Sequence, residues 1–130
     1  TGSFVPEFIR KRKMEKILIY HVKDDWKVKK AAEAMKIRVE EIFPADLKQS
    51  IGNLAEGKKS VLMAPFEGNA PEESLLVFCD VSEKHMDRLL FQFRQIKLSV
   101  DYKAILTPTN RSWTVLMLLL ELGREKRSMS

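Results

Sequence analysis

The sequence predicts a single α/β domain of three layers, with about four mainly parallel strands in the order 2-1-3-4 and a helix after each strand. Three observations carry this. Ile17–Val22 and Leu75–Cys79 are continuous apolar runs, the composition of strands covered on both faces. Segments with helical apolar spacing alternate with the strand-like runs, the pattern of a parallel sheet with right-handed crossovers. A length of 130 residues, 45% hydrophobic and 32% charged, is enough for one domain with its own core. A ferredoxin-like α+β arrangement is the main alternative.

The elements follow in order. Residues 1–13 form a basic extension, expected to be disordered or left over from expression or processing, and Met14 directly before the first strand is the expected natural start. After Ile17–Val22, Asp24 or Asp25 can cap a helix whose apolar positions are Val28, Ala31, Ala32 and Met35. Arg38–Phe43 reads as a short, more polar strand suited to a sheet edge, where charge discourages edge-to-edge association. Pro44 opens a helix with Leu47, Ile51 and Leu54 on one face, ending near Gly57. Residues 58–73, punctured by Pro65, Gly68 and Pro71, read as a connection in which Val61–Ala64 supplies an apolar plug or a very short strand.

Strand three is Leu75–Cys79. Ser82 then caps a helix with Met86, Leu89, Leu90, Phe93 and Ile96 on one stripe and Phe91 off it, exposed. Strand four runs over Tyr102–Leu106, with Pro108 holding Thr107 extended. The last helix follows Thr107-Pro108-Thr109-Asn110 and carries two apolar stripes. One is Trp113, Leu116, Met117 and Leu120; the other, nearly opposite, is Val115, Leu118, Leu119 and Leu122. One stripe can pack on the sheet and the other needs its own cover. The expectation is a two-fold homodimer with Val115, Leu118, Leu119 and Leu122 at its contact.

The net charge of +5 sits at the ends. Residues 1–13 carry +3 and residues 124–130 carry +2, which leaves residues 14–123 neutral. Nucleic-acid binding through these basic ends, the 124–130 tail included, is therefore the least favoured function class. No apolar run approaches the ~18 residues of a bilayer span, and the lone Cys79 allows no internal disulfide. Both fit a soluble, cytoplasmic protein without a membrane partner.

Chemistry-bearing motifs are few. His21, His85 and Cys79 show no metal-ligand spacing, and the five glycines are too dispersed for a phosphate-binding loop, so no metal or cofactor is expected. Cys79 before a helix start, with His85 in that helix's first turn, could form a nucleophile pair. A packed cysteine and a surface histidine is the weightier reading. The paired carboxylates Asp24-Asp25, Glu40-Glu41 and Glu72-Glu73 read as caps, edge charges and loop solvation. The start of the last helix is the best candidate site, because it has no acidic residue until Glu121 while Thr107, Thr109, Asn110 and Arg111 supply donors. With Cys79 and Asp80 at the carboxyl edge of the sheet, it would receive a small anion. The weightier reading is that Thr109 or Asn110 simply caps the helix and Trp113 packs against the sheet.

Leu76-Val77-Phe78-Cys79, the Ser82-to-Phe93 helix and above all Lys103-Ala104-Ile105-Leu106-Thr107-Pro108-Thr109-Asn110-Arg111-Ser112-Trp113 resemble an uncharacterised family of short bacterial domains. This family is domain of unknown function thirty-seven eighty-three, and the likeness covers about residues 74–123. The first half is similar more loosely, through Lys16-Ile17-Leu18-Ile19-Tyr20 and Leu47-Lys48-Gln49-Ser50-Ile51-Gly52. The resemblance brings no catalytic residues. Its occasional label of amino-acid metabolism implies, as the alternative function, an enzyme or sensing domain using Cys79, Asp80, Thr107 and Asn110. The leading expectation is a non-enzymatic module acting by self-association or on a protein partner, with a small anion as its ligand.

Overall fold

The computed structural model describes residues 14–128, so the basic extension over residues 1–13 and the end of the 124–130 tail lie outside the described residues. Four strands, β1 (Lys16–Tyr20), β2 (Arg38–Glu41), β3 (Leu75–Cys79) and β4 (Tyr102–Ile105), form one sheet in the order β2-β1-β3-β4. The helices are α1 (Asp25–Glu33), α2 (Ile51–Ala55), α3 (Glu83–Gln95) and α4 (Val115–Ser128), with a 3-10 turn at Pro44–Asp46. Every residue of β1 and β3 is buried, and apart from Lys16 both strands are apolar throughout, as strands with a layer on each side require.

Alternation along these strands builds two cores. Leu18, Tyr20, Leu75, Val77 and Cys79 pack under α2 and α4, against Ile51, Leu54, Val115, Leu118 and Leu119. Ile17, Ile19, Leu76 and Phe78 face the other way and pack under α1 and α3, against Val28, Ala32, Leu89 and Phe93. Helices cover both faces, so the domain is the three-layer α/β form and not the ferredoxin-like one.

The sheet is mixed. β1–β2 and β3–β4 are parallel pairs, while the central pair β1–β3 is antiparallel. Each parallel pair is joined by a crossover helix, but the long return over residues 56–74 lets the second unit enter the sheet in the opposite direction.

The two βαβα units are related by an approximate two-fold axis through the Leu18–Val77 pair, about which the β1–β3 register is symmetric. Local geometry repeats with it. His21 and Asp80, just past β1 and β3, both have left-handed backbones, with φ of 54° and 57°. Lys36 and Lys97 do the same after α1 and α3. Ile37 N–H then reaches Ala32 O, and Leu98 N–H reaches Phe93 O, at 2.9 Å in both cases. These are the same Schellman stop made twice.

Several expected boundaries shift for local reasons. The left-handed turn at His21 ends β1 two residues early. The helix expected from Pro44 breaks in two, because Asp46 Oδ2 accepts Phe43 N–H and closes a 3-10 turn, and Ser50 caps α2 separately by accepting Asn53 N–H. Val61–Ala64 is no plug: Val61 and Leu62 are 92% and 94% exposed. The connection is held instead by Gln49, bonded twice to Ser60, by Phe66 N–H on Ala45 O, and by Tyr20 Oη on Pro71 O. Phe91 is exposed, as its place off the α3 stripe requires.

Candidate functional site

The carboxyl ends of β3 and β4 bring Cys79, Asp80, Thr107, Asn110 and Arg111 into one neighbourhood, where parallel pairing carries Leu106 N–H onto Phe78 O. The segment between β4 and α4 is folded on itself. Asn110 Oδ1 accepts Thr107 N–H at 2.9 Å, Thr107 Oγ1 accepts Asn110 N–H at 3.1 Å, and Asn110 Nδ2 donates to Ile105 O at 3.0 Å. A single asparagine thus consumes the polar groups of the turn and delays the helix to Val115. Arg111 donates from Nη2 to Glu56 Oε2 at 2.8 Å, and Thr109 stands exposed beyond the turn.

The helix start expected to receive an anion is closed from within the chain. Thr114 is the cap: its Oγ1 accepts Met117 N–H. Val115 N–H goes to Gln49 O and Leu116 N–H to Leu47 O. The start of α2 is served reciprocally, Ile51 N–H by Trp113 O and Gly52 N–H by Arg111 O, across a bridge between Ser50 and Thr114. Each bond has its two-fold counterpart. The first donors of both helices are therefore spent on each other, and the free N–H groups on which an anion site depends are taken.

This docking places Gly52 against Arg111. A Cβ there would lie 2.6 Å from Arg111 Cγ and 2.9 Å from Arg111 O, so only glycine allows the approach.

Cys79 is fully buried, and its thiol pKa is pushed up to about 12, by burial first and by the neighbouring Asp80 carboxylate second. A thiolate is disfavoured there. His85 does not approach it; its Nδ1 lies 2.8 Å from Glu15 Oε2. Burial would raise the Glu15 carboxyl, but the Ser82 N–H and His85 outweigh it and hold its pKa below the usual value. Lys16 opens an otherwise apolar strand and is buried, its Nζ donating to Glu40 Oε1 and Leu54 O. Its position as the one charged residue in an apolar run was the signal for it, and the sequence reading passed over it. Among the described residues no group of three or more His, Cys, Asp or Glu side chains could hold a metal ion, and no helix is long and apolar enough to cross a membrane.

The two stripes of α4 exchange their expected roles. Val115, Leu118 and Leu119, expected at a dimer contact, are buried in the chain's own core, with Leu122 packed against it. The outward stripe holds Met117 and Leu120, 51% and 59% exposed, beside the partly buried Trp113 and Leu116. The Ser50–Thr114 bridge sets this rotation by fixing where the helix begins. Next to it a groove of about 520 Å³ runs along the β4 edge, with Ala104, Ile105, Trp113 and Leu122 among its walls.

Comparison with curated proteins and with solved structures finds no match. The boundaries of the second βαβα unit, β3 through α4, coincide with a family match over residues 74–129. The family that matches there is DUF3783, a domain of unknown function.

Proposed function

We propose that this domain is an association module, whose working surface is the outer stripe of α4 and the adjoining β4 edge and whose partner is a second copy of the chain. The observation that carries the reading is a difference between the two halves. Met117 and Leu120 of α4 are more than half exposed, whereas the positions related to them by the two-fold are Asn53 of α2 and Glu56 just past its end. At the sheet edges the exposed Ile105 of β4 corresponds to Glu41 of β2. The β4 edge keeps one exposed cation, Lys103, but the α4 face beside it carries apolar Met117 and Leu120 where the other half has polar side chains.

A contact about a true two-fold axis would bring Met117 and Leu120 of both copies together. Covering the exposed part of each would contribute about 1 kcal/mol, or about 4 kcal/mol for four side chains, before the cost of association. Association costs about 4 kcal/mol or more, so these four side chains only offset it, and the dimer requires the β4 edge with Ile105 and the adjoining groove to be buried in the same contact. Sedimentation velocity over a dilution series tests it. The wild type should move from dimer toward monomer on dilution, and Leu120→Glu should sediment as a folded monomer throughout. A wild type monomeric at high concentration, or a Leu120→Glu variant that still dimerises, would overturn the reading.

A further inference from the structure

The opposite face of the domain has its own character, hidden by the neutral total. Residues 23–37 and 82–97, which contain α1 and α3, hold nine lysines and arginines against five aspartates and glutamates. Since residues 14–123 sum to zero, the basic charge of this helical layer is balanced by acidic charge elsewhere in the domain. Between α1 and α3 lies a groove of about 490 Å³. Small side chains open it: Ala31 and Ala34 line it from α1, while Gln92, Gln95 and Ile96 line it from the end of α3. Trp26, 59% exposed, stands at its mouth.

The cations at this groove are placed unequally. Lys27 straps it, with Nζ donating to Ile96 O at 3.1 Å, 3.4 Å from Asp24 Oδ2 and 5.8 Å from the Trp26 ring centre. Asp25 is committed to Lys29. Lys30, also in the groove wall, has no ion pair or hydrogen bond among the described residues, and neither has Arg88 on the outer side of α3. An apolar slot with an aromatic at its mouth and unpaired cations beside it is complementary to a chain that is apolar on one side and acidic on the other.

We infer that the α1–α3 groove docks an acidic amphipathic helix of a protein partner, with its apolar side chains against Trp26, Ala34 and Ile96 and its carboxylates toward Lys30 and Arg88. Such a contact buries an aromatic anchor at the mouth of the slot and leaves the charges at the rim, where they govern rate and selectivity. It lies across the sheet from the α4 stripe, so the two surfaces can be occupied together.

The test follows backbone amide shifts of the full chain during titration with a synthetic helix carrying leucine at i, i+3, i+4 and i+7 and glutamate elsewhere. Shifts should concentrate at residues 26–34 and 92–96, binding should weaken with added salt, and Trp26→Ala and Lys30→Glu should each weaken it about tenfold or more. Both side chains are exposed, so both variants should remain folded. The same helix with lysine for glutamate should bind no more tightly than Lys30→Glu binds the acidic one. Shifts elsewhere, equal binding of the lysine helix, or no loss in Lys30→Glu would each overturn the inference. So would tighter binding at these residues by phosphatidylglycerol vesicles or single-stranded DNA, or shifts there on diluting the protein alone, which would name a membrane, a nucleic acid or a second copy instead.

Discussion

Gly52→Ala should destabilise the domain, against the ordinary rule. In a helix this exchange normally stabilises, by up to about 1 kcal/mol, because alanine loses less backbone freedom on folding. Here the added methyl would meet Arg111 Cγ at 2.6 Å and Arg111 O at 2.9 Å. The side-chain atom can move aside, at the expense of the Arg111–Glu56 ion pair, an exposed contact that contributes little. The carbonyl cannot move alone, because it accepts Gly52 N–H at 2.9 Å in the set of four bonds that dock α2 against α4. Overpacking of this kind costs about 1–3 kcal/mol, and a strained backbone bond adds about 1 kcal/mol, so the net loss should be about 2 kcal/mol. Urea denaturation should show this as a lower midpoint with an unchanged slope. Gly123→Ala is the control, since its nearest neighbours are the movable ends of Tyr102 and Arg127, at 3.3 and 3.5 Å. If Gly52→Ala matched or exceeded the wild type, the two helix starts would not be held in the close, reciprocal contact described here.

Three further outcomes follow from the same geometry. Leu119→Glu should be largely unfolded by circular dichroism, because it places a carboxylate in the α2–α4 core, whereas exposed Leu120 tolerates the same change; a folded Leu119→Glu would mean that the α4 rotation is wrong. Thiol labelling of Cys79 in the native protein should be slow at neutral pH and should accelerate with denaturant in step with unfolding, and rapid native labelling would contradict its burial. Glu15 has a folded pKa below its unfolded value of 4.5, so its stabilising effect is present in full above that pH and fades as pH falls through the folded pKa. Glu15→Gln should therefore lower the melting temperature at neutral pH and lower it less in acid; a deficit that grew in acid would reverse the assigned direction.

What the sequence made legible was set by burial. Ile17–Tyr20 and Leu75–Cys79 announce strands covered on both sides, and the i, i+3, i+4 spacing on α3 announces its buried face, because periodicity records which side meets the core. Direction is not recorded that way: β1 and β3 have the same composition whether they run parallel or antiparallel, and the 56–74 connection permits either. The two stripes of α4 are almost equally apolar, so their roles turn on one residue pair, Ser50 and Thr114, that no pattern within the helix reveals. The anion site failed on the same point. Composition left the α4 start open, but its donors are claimed by carbonyls of Leu47 and Gln49, distant in sequence. The basic α1–α3 layer was invisible for a simpler reason: a neutral total hides a charge separation until the fold sorts residues onto faces.

The approximate two-fold within the chain has a consequence for how its surfaces are free to change. Two separate identical βαβα units that paired through their inner strands would do so only above a concentration set by their affinity. They would also be bound to present the same outer edge twice. Here the nineteen residues between Ala55 and Leu75 act as a tether. They hold the second inner strand near the first at an effective concentration in the millimolar range, so the central pairing no longer depends on how much protein is present. Joined in one chain, the halves are released from likeness. One edge can keep Glu40 and Glu41 as a guard, while the other, which keeps only Lys103 on its strand, can display Ile105, Met117 and Leu120.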